Sequence, residues 1–250
     1  MLLFLNKNIL QLCKLICENI MGLDIDILNA GLKTLGIELS NQQISLLDRF
    51  ETLVLDTNKK FNLTTITEEP DFTIKHIIDS LAAVPYIPQN ASLLDIGTGG
   101  GFPSIPLAIA RDDLVITAID STEKRINFVN SAISILELNN IKGKAIRAED
   151  LSKEIKYDVV TARAVSSLPI LLELSIPFLK TNGLFIAYKA TDEEISLSSN
   201  ALKQLNSEIK DVVRLTLPNK DKRCLILIQK RGETSSKYPR LYSQIKKKPL

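Results

Sequence analysis

The sequence predicts an α/β fold: a mainly parallel, seven-stranded sheet with an antiparallel edge, preceded by an N-terminal helical segment. Three observations lead there. Between residues 92 and 230, short apolar runs alternate with stretches of helical period, the pattern of a parallel sheet covered by helices on both faces. The first of these runs leads directly into "GTGGG", four glycines in five residues from Gly97 to Gly101. The last two runs follow each other closely enough to pair as a hairpin.

The elements follow in order. "DILNAGLKTLGI" carries an apolar stripe that closes at Gly36, a residue suited to ending a helix. "SNQQISLLDRFETLVLDTNKKFNL" starts at an N-cap residue, Ser40, and keeps Ile44, Leu47, Phe50, Leu53 and Val54 on one side. "FTIKHIIDSLAAV" forms a third helical run before Pro85. "SLLDIG", "LVITAID", "GKAIRAE", "YDVVTARA" and "LFIAYKA" read as parallel strands. The segments "PSIPLAIA", "EKRINFVNSAISILEL", "SLPILLELSIPFLK" and "DEEISLSSNALKQL" read as helices between or after them. "DVVRLTL" and "RCLILIQK" close the sheet as the hairpin.

The chain has 250 residues, 45% hydrophobic and 24% charged, the balance of an ordinary globular protein. A net charge of +2 does not by itself indicate nucleic acid, but residues 230–250 hold seven Lys/Arg against one Glu. Cys13, Cys17 and Cys224, with one histidine, His76, give no zinc spacing and no disulfide framework, so no metal is expected and a reducing, cytoplasmic setting is. At the N-terminus, Lys7, Lys14 and Glu18 interrupt an apolar run too short to span a bilayer. Leu5, Ile9, Leu12, Ile16 and Ile20 make it an amphipathic helix; the alternative is that Met21 is the true start. The expected divisions are an extension (1–23), a helical segment packing on the core (24–90), the α/β domain (91–231) and a basic tail (232–250).

Ligands of such a sheet bind at the carboxyl ends of its strands, where strand order reverses. The spacing Asp95-x-Gly97-x-Gly99-x-Gly101 puts the third glycine one residue too early for the dinucleotide pattern. An acid two residues before the first glycine suits an amine or a positive centre better than a phosphate. Asp120 ends the second strand, where a carboxylate can accept two ribose hydroxyls. Glu149 and Asp150 end the third, where an acid or a backbone group can reach the amine edge of an adenine. Three acids at successive strand ends, with no phosphate-binding lysine, describe S-adenosylmethionine. A Rossmann-like class I S-adenosylmethionine-dependent methyltransferase is thus the expected fold class.

Missing residues narrow the chemistry. After the fourth strand stands "TARAVSS" instead of the aromatic platform used on exocyclic amines, and the cysteines lie outside the strand-end loops, so a covalent cysteine nucleophile is not expected. An acceptor that is already nucleophilic remains, such as a purine ring nitrogen. Arg163 and Lys189, ending the fourth and fifth strands, suit the gripping of phosphates or a base edge. His76 is read as packing or capping and is assigned no proton transfer.

The segments "FNLTTI", "KHIIDSL", "LLDIGTGGGFPSIPLAI", "IDSTEKRINFV", "RAEDL", "VVTARAVSSL", "YKA" and the terminal "KYPR…KKKPL" occur in an order that resembles the bacterial 16S rRNA guanine-N7 methyltransferases, once called glucose-inhibited division protein B. The resemblance spans residues 24–250. It implies S-adenosylmethionine as methyl donor and, as acceptor, a guanine in the decoding-centre loop of 16S rRNA, free or in the 30S particle. It matches the family's donor-binding positions to Gly97, Phe102, Ala148, Glu149 and Arg163, with no membrane partner and a monomer expected. Two departures stand out: Gly100 where many relatives carry proline, and "RLYSQI" where a glycine-proline segment is expected. The basic tail, residues 237–248, is expected to hold RNA phosphates without affecting donor affinity. Competing readings are a small-molecule or protein methyltransferase, and a non-catalytic RNA-binding module of the same fold.

Overall fold

The computed structural model describes residues 22–250; the amphipathic helix expected from Leu5 to Ile20 lies outside the described residues. Helix α1 (Ile25–Leu35) starts at an Asp24 cap and ends at Gly36, whose φ of 67° is the left-handed turn a helix stop requires. Helix α2 (Asn41–Asn58) opens with a capping box: Gln43 N–H donates to Ser40 Oγ, and the Gln43 side chain accepts from Ser40 N–H. The third helical run begins as a π-helical stretch, Thr73–Ile78, and tightens into α3 (Asp79–Leu81). That wider turn carries His76, with Lys75 and Asp79 beside it, and π geometry recurs at functional sites.

The sheet has the order β3-β2-β1-β4-β5-β7-β6. Its first five strands are β1 (Ser92–Ile96), β2 (Val115–Asp120), β3 (Ile141–Ala145), β4 (Tyr157–Arg163) and β5 (Leu179–Lys189). They pair in parallel, and β6 (Ser207–Thr216) and β7 (Lys222–Lys230) complete an antiparallel edge. Strand order reverses between β1 and β4, so a crevice opens beyond Ile96 and Arg163. The connecting helices are α4 (Ser104–Ala110), α5 (Glu123–Ile135), α6 (Leu168–Ser175) and α7 (Ser199–Gln204); α8 (Tyr242–Lys247) follows the sheet.

Alternate residues of each strand feed two cores. Leu93 and Val159 join Leu47, Phe50, Phe72, Ile105 and Phe128 on one face, so the N-terminal helices and the sheet share that core. Leu94, Ile96 and Val160 join Leu171, Phe178, Phe185 and Ile245 on the other. Strands covered on both sides read as unbroken apolar runs, which is why β1, β4 and β5 were legible.

Several elements differ from expectation. β3 begins at Ile141, before "GKAIRAE", because this edge strand is largely exposed and carries little apolar signal. The helix in "SLPILLELSIPFLK" stops at Ser175, ahead of Pro177, whose nitrogen has no hydrogen to donate. "DEEISLSSNALKQL" splits into a short turn, Glu193–Ile195, and α7, since serine side chains compete for the backbone between them. The tail folds back as α8, with Tyr238 and Ile245 buried.

Candidate active site

Two cavities meet at the carboxyl edge of the sheet. The first, about 310 Å³, is lined by Gly97, Asp120, Arg125, Ala148, Glu149, Val165 and neighbours. The second, about 400 Å³, is lined by Ile66, Lys75, His76, Asp79, Arg163, Lys189, Arg223 and others. Ala164 belongs to the walls of both, and it has a φ of 55°, a left-handed conformation a non-glycine residue holds only where its surroundings enforce it.

The glycine turn borders the first cavity through Gly97. Gly97 and Thr98 N–H groups donate to Ile119 O at 2.8 and 3.0 Å, tying the turn to the end of β2. Gly97 has a φ of 74°, and a Cβ there would come within 2.5 Å of Val165 Cγ2. Gly101, with φ of 91°, packs against Ile105 and Phe50 instead, so it lets the chain enter α4 and lines neither cavity. Gly99 serves through its N–H, which donates to Asp120 Oδ2 at 3.0 Å.

Asp120 is buried but for the edge that borders the first cavity. Its Oδ1 accepts from Thr122 N–H at 2.8 Å, and Arg125 Nη1 stands 3.5 Å from Oδ2. Oδ1 keeps a second lone pair for a hydroxyl, while Oδ2 already faces Gly99 N–H and Arg125. Glu149 faces the same space from the turn Ala148–Asp150, and its Oε1 accepts from Tyr242 N–H at 3.3 Å.

Asp95 and Phe102 lie beneath this surface and line neither cavity. Asp95 is fully buried; Thr161 Oγ1 donates to its Oδ1 at 2.8 Å, while Oδ2 has no partner among the described residues. Burial pushes its pKa up to about 7 against the pull of that hydrogen bond. The Phe102 ring sits between Phe50 at 5.1 Å and His76, stacked on it at 4.4 Å, and the core thus takes its apolar surface.

Arg163 falls in the second cavity, with its guanidinium 5.3 Å above the Phe102 ring. Its Nη1 donates to Asp79 Oδ2 at 3.0 Å and to Lys75 O at 3.1 Å. Arg223 Nε stands 3.3 Å from the other Asp79 oxygen and its Nη2 3.7 Å from Asp221 Oδ2, so two arginines meet on the Asp79 carboxylate. Lys189 Nζ donates to Ser166 O at 2.7 Å and to Glu194 Oε2 at 2.8 Å. His76 is held neutral: burial, then the charge of Arg163, brings its pKa down to about 3.

Three residues carried no usable signal. Arg223 is the second residue of β7, and because that strand runs antiparallel its first residues lie where β5 ends, Cys224 pairing with Lys189. Cys224 is therefore at this edge after all, not away from it; its side chain points into the core opposite Arg223, and burial raises its pKa, so no thiolate faces the cavity. Asp79 would have needed the π-helical turn to be foreseen. Tyr242 lies in the polar tail. That tail is docked, not free: Arg240 makes three hydrogen bonds to Glu173, a fully buried carboxylate. Deleting residues 237–248 would strip Glu173 of its partner and take Tyr242 out of the first cavity's wall.

Among the described residues there is no group of three or more His, Cys, Asp and Glu side chains placed to hold a metal ion, and no helix long and apolar enough to cross a membrane.

The sequence matches the family described as rRNA small subunit methyltransferase G over residues 43–225. A protein named ribosomal RNA small subunit methyltransferase G from Clostridium botulinum is 38% identical over 234 residues, covering 90% of this chain and 98% of the relative. One of that name from Streptococcus pneumoniae is 41% identical over 224 residues, covering 86% and 94%. Among solved structures, M. jannaschii TYW2 in complex with AdoMet superposes with a TM-score of 0.53 at 17% identity, over 68% of this chain and 81% of that one. A SAM-dependent O-methyltransferase from Thermotoga maritima gives 0.50 at 16% identity, over 73% of each. At such identities the structures speak for the fold alone: the sheet and its helices are those of the Rossmann-like class I S-adenosylmethionine-dependent methyltransferases.

Proposed function

Because the chain belongs to the rRNA small subunit methyltransferase G family, we propose that it moves a methyl group from S-adenosylmethionine to the N7 of a guanine in 16S rRNA. The observation that carries this reading is the pair of cavities sharing Ala164 at the switch point of the sheet, one bordered by Asp120 and Glu149, the other by Arg163, Lys189 and Arg223.

The first cavity fits the methyl donor. Gly97 leaves room where a Cβ would strike Val165, Asp120 offers lone pairs to a ribose, and Glu149 or the backbone at Ala148 reaches an adenine amine. Asp95 lies buried beneath the turn, with one oxygen unpartnered, where the amino-acid part would lie. When bound, the donor supplies a sulfonium methyl carbon to which a lone pair can bond, the carbon–sulfur electrons leaving on sulfur. Guanine N7 has such a lone pair at neutral pH, so the chain has no proton to remove.

The chain's task is placement. Arg163, fixed by Asp79 and by the Phe102 face, donates toward the guanine O6 edge from the second cavity. Lys189 and Arg223 offer charge to phosphate at the second cavity, and Lys246, Lys247 and Lys248 are exposed at the end of α8, the helix that begins at the first. The base has to leave its stack to enter, which costs least in an RNA loop.

Mass spectrometry of rRNA nucleosides from a deletion strain tests the proposal. One 7-methylguanosine should be lost, return with the wild-type gene, and stay absent with Gly97→Val. An unchanged nucleoside profile would overturn it.

A further inference from the structure

The wall of the first cavity is completed from outside the α/β domain. Tyr242, the first residue of α8, lines it together with Ala148, Glu149 and Leu174. Its backbone N–H donates to Glu149 Oε1 at 3.3 Å. Three anchors hold this position. Arg240, two residues earlier, reaches Glu173 through its backbone N–H at 3.0 Å, Nε at 2.7 Å and Nη2 at 2.5 Å. Ile245, three residues later, is fully buried in the core between the sheet and α6. Arg240 Nη2 also donates to Lys248 O at 3.1 Å, closing the helix back on its own start.

We propose that Tyr242 is a donor-binding residue: its ring forms the aromatic side of the adenine pocket, and α8 with Arg240 exists to position it. This rests on the reading that S-adenosylmethionine occupies the first cavity. The chemistry is that of a purine against an aromatic and apolar lining. Ile96, Ile119, Ile146 and Leu174 supply the apolar part, and Tyr242 is the aromatic among them. A purine presents a π-face to a ring and an exocyclic amine to an acceptor, and here the acceptor, Glu149, is bonded to the backbone of the aromatic residue itself. The pairing fixes the two groups relative to each other before any ligand arrives. A glycine-proline segment in this place would supply no ring.

Calorimetric titration of the full chain with S-adenosylhomocysteine decides the matter. Tyr242→Ala should bind roughly ten-fold more weakly, the scale of losing one aromatic face from a base. Tyr242→Phe, which keeps the ring, should stay within about two-fold, and Ser243→Ala, on the exposed side of α8, should match the wild type. Arg240→Ala should copy the loss without touching the ligand, and trypsin should then cut after Lys246 and Lys247 sooner. Thermal melts of each variant show that the domain itself is folded. If Tyr242→Ala binds like wild type while Asp120→Ala does not, the cavity is right and the role of Tyr242 is overturned. If the wild type takes up no S-adenosylhomocysteine, the donor reading fails and this inference with it.

Discussion

Arg163 Nη2 stands 3.3 Å from His76 Nδ1. A guanidinium has no lone pair to offer, so it donates and Nδ1 accepts; the neutral ring then carries its proton on Nε2, which donates to Thr64 Oγ1 at 2.7 Å. With its pKa brought down to about 3 by burial and by Arg163, His76 does not titrate near neutrality. Single-turnover methylation at saturating RNA should therefore vary little between roughly pH 6 and 8.5. His76→Gln should alter the rate by one factor at every pH. A tenfold rise per pH unit that disappears in His76→Gln would show proton abstraction, and guanine N7 would be the wrong acceptor.

The glycine turn gives a second test. Gly97→Ala meets both Val165 and an unfavourable φ, so it should weaken S-adenosylhomocysteine binding or unfold the turn, at a cost of about 1–3 kcal/mol from the backbone strain alone. Adding Val165→Ala removes the collision but not the strain. The double variant should recover part of the loss, giving a non-zero coupling energy in a double-mutant cycle. Strict additivity would mean that the two residues do not meet.

Asp120 holds the turn as well as the ligand, because Gly99 and Thr122 N–H groups both donate to it. Asp120→Asn replaces one acceptor oxygen by an NH₂ group that cannot accept, and should weaken S-adenosylhomocysteine binding by about ten-fold or more. Binding within two-fold of wild type, measured by calorimetry, would show that the ribose is held elsewhere.

Arg163→Met should separate the cavities. The change leaves the first cavity's lining intact, so S-adenosylhomocysteine affinity should hold while the KM for RNA rises or kcat falls by at least ten-fold. Asp79 keeps Arg223 as a partner in this variant, which limits the damage to folding. Loss of S-adenosylhomocysteine binding would place Arg163 in the donor site.

Glu51 makes stability fall with pH. It is buried in the N-terminal core, and burial, helped by Glu69 and Asp48 nearby, pushes its pKa up to about 8 from 4.5. Between these values the folded chain keeps a proton that the unfolded chain releases. The unfolded state binds fewer protons, so stability declines as pH rises through this window. Asp95, brought up to about 7, acts in the same direction below that pH. Glu51→Gln, neutral throughout, should flatten the urea midpoint between pH 7 and 8.5. A slope equal to wild type would place the Glu51 carboxyl at its ordinary pKa.

What could be read in advance followed from periodicity and from backbone chemistry. Ser40, Gly36 and the strands buried on both faces state their conformations in residues that few other conformations favour. Asp120 and Glu149 were found because parallel strands put all their ends on one edge. Arg223 was not, since the reversal of β7 is a property of the sheet and not of "RCLILIQK". Phe102 was assigned to the ligand, but helices from residues 41–58 and 73–81 bring Phe50 and His76 onto its ring, a meeting between segments distant in sequence. Tyr242 and Arg240 sit among polar residues with no apolar period, and their positions come from Glu173, a buried acid within the helical run "LPILLELS". A carboxylate amid leucines was the clue to a distant cation.

Ala164 is counted in the walls of both cavities. A ligand that shifts this residue changes the free energy of binding next door, and linkage makes the change equal in both directions. Whatever factor the methyl donor imposes on RNA affinity, RNA imposes on the affinity for the methyl donor. The two binding constants, with and without the other ligand, close a thermodynamic square, so three measurements fix the fourth. How far the square departs from independence is a measure of how stiffly the chain holds a single alanine.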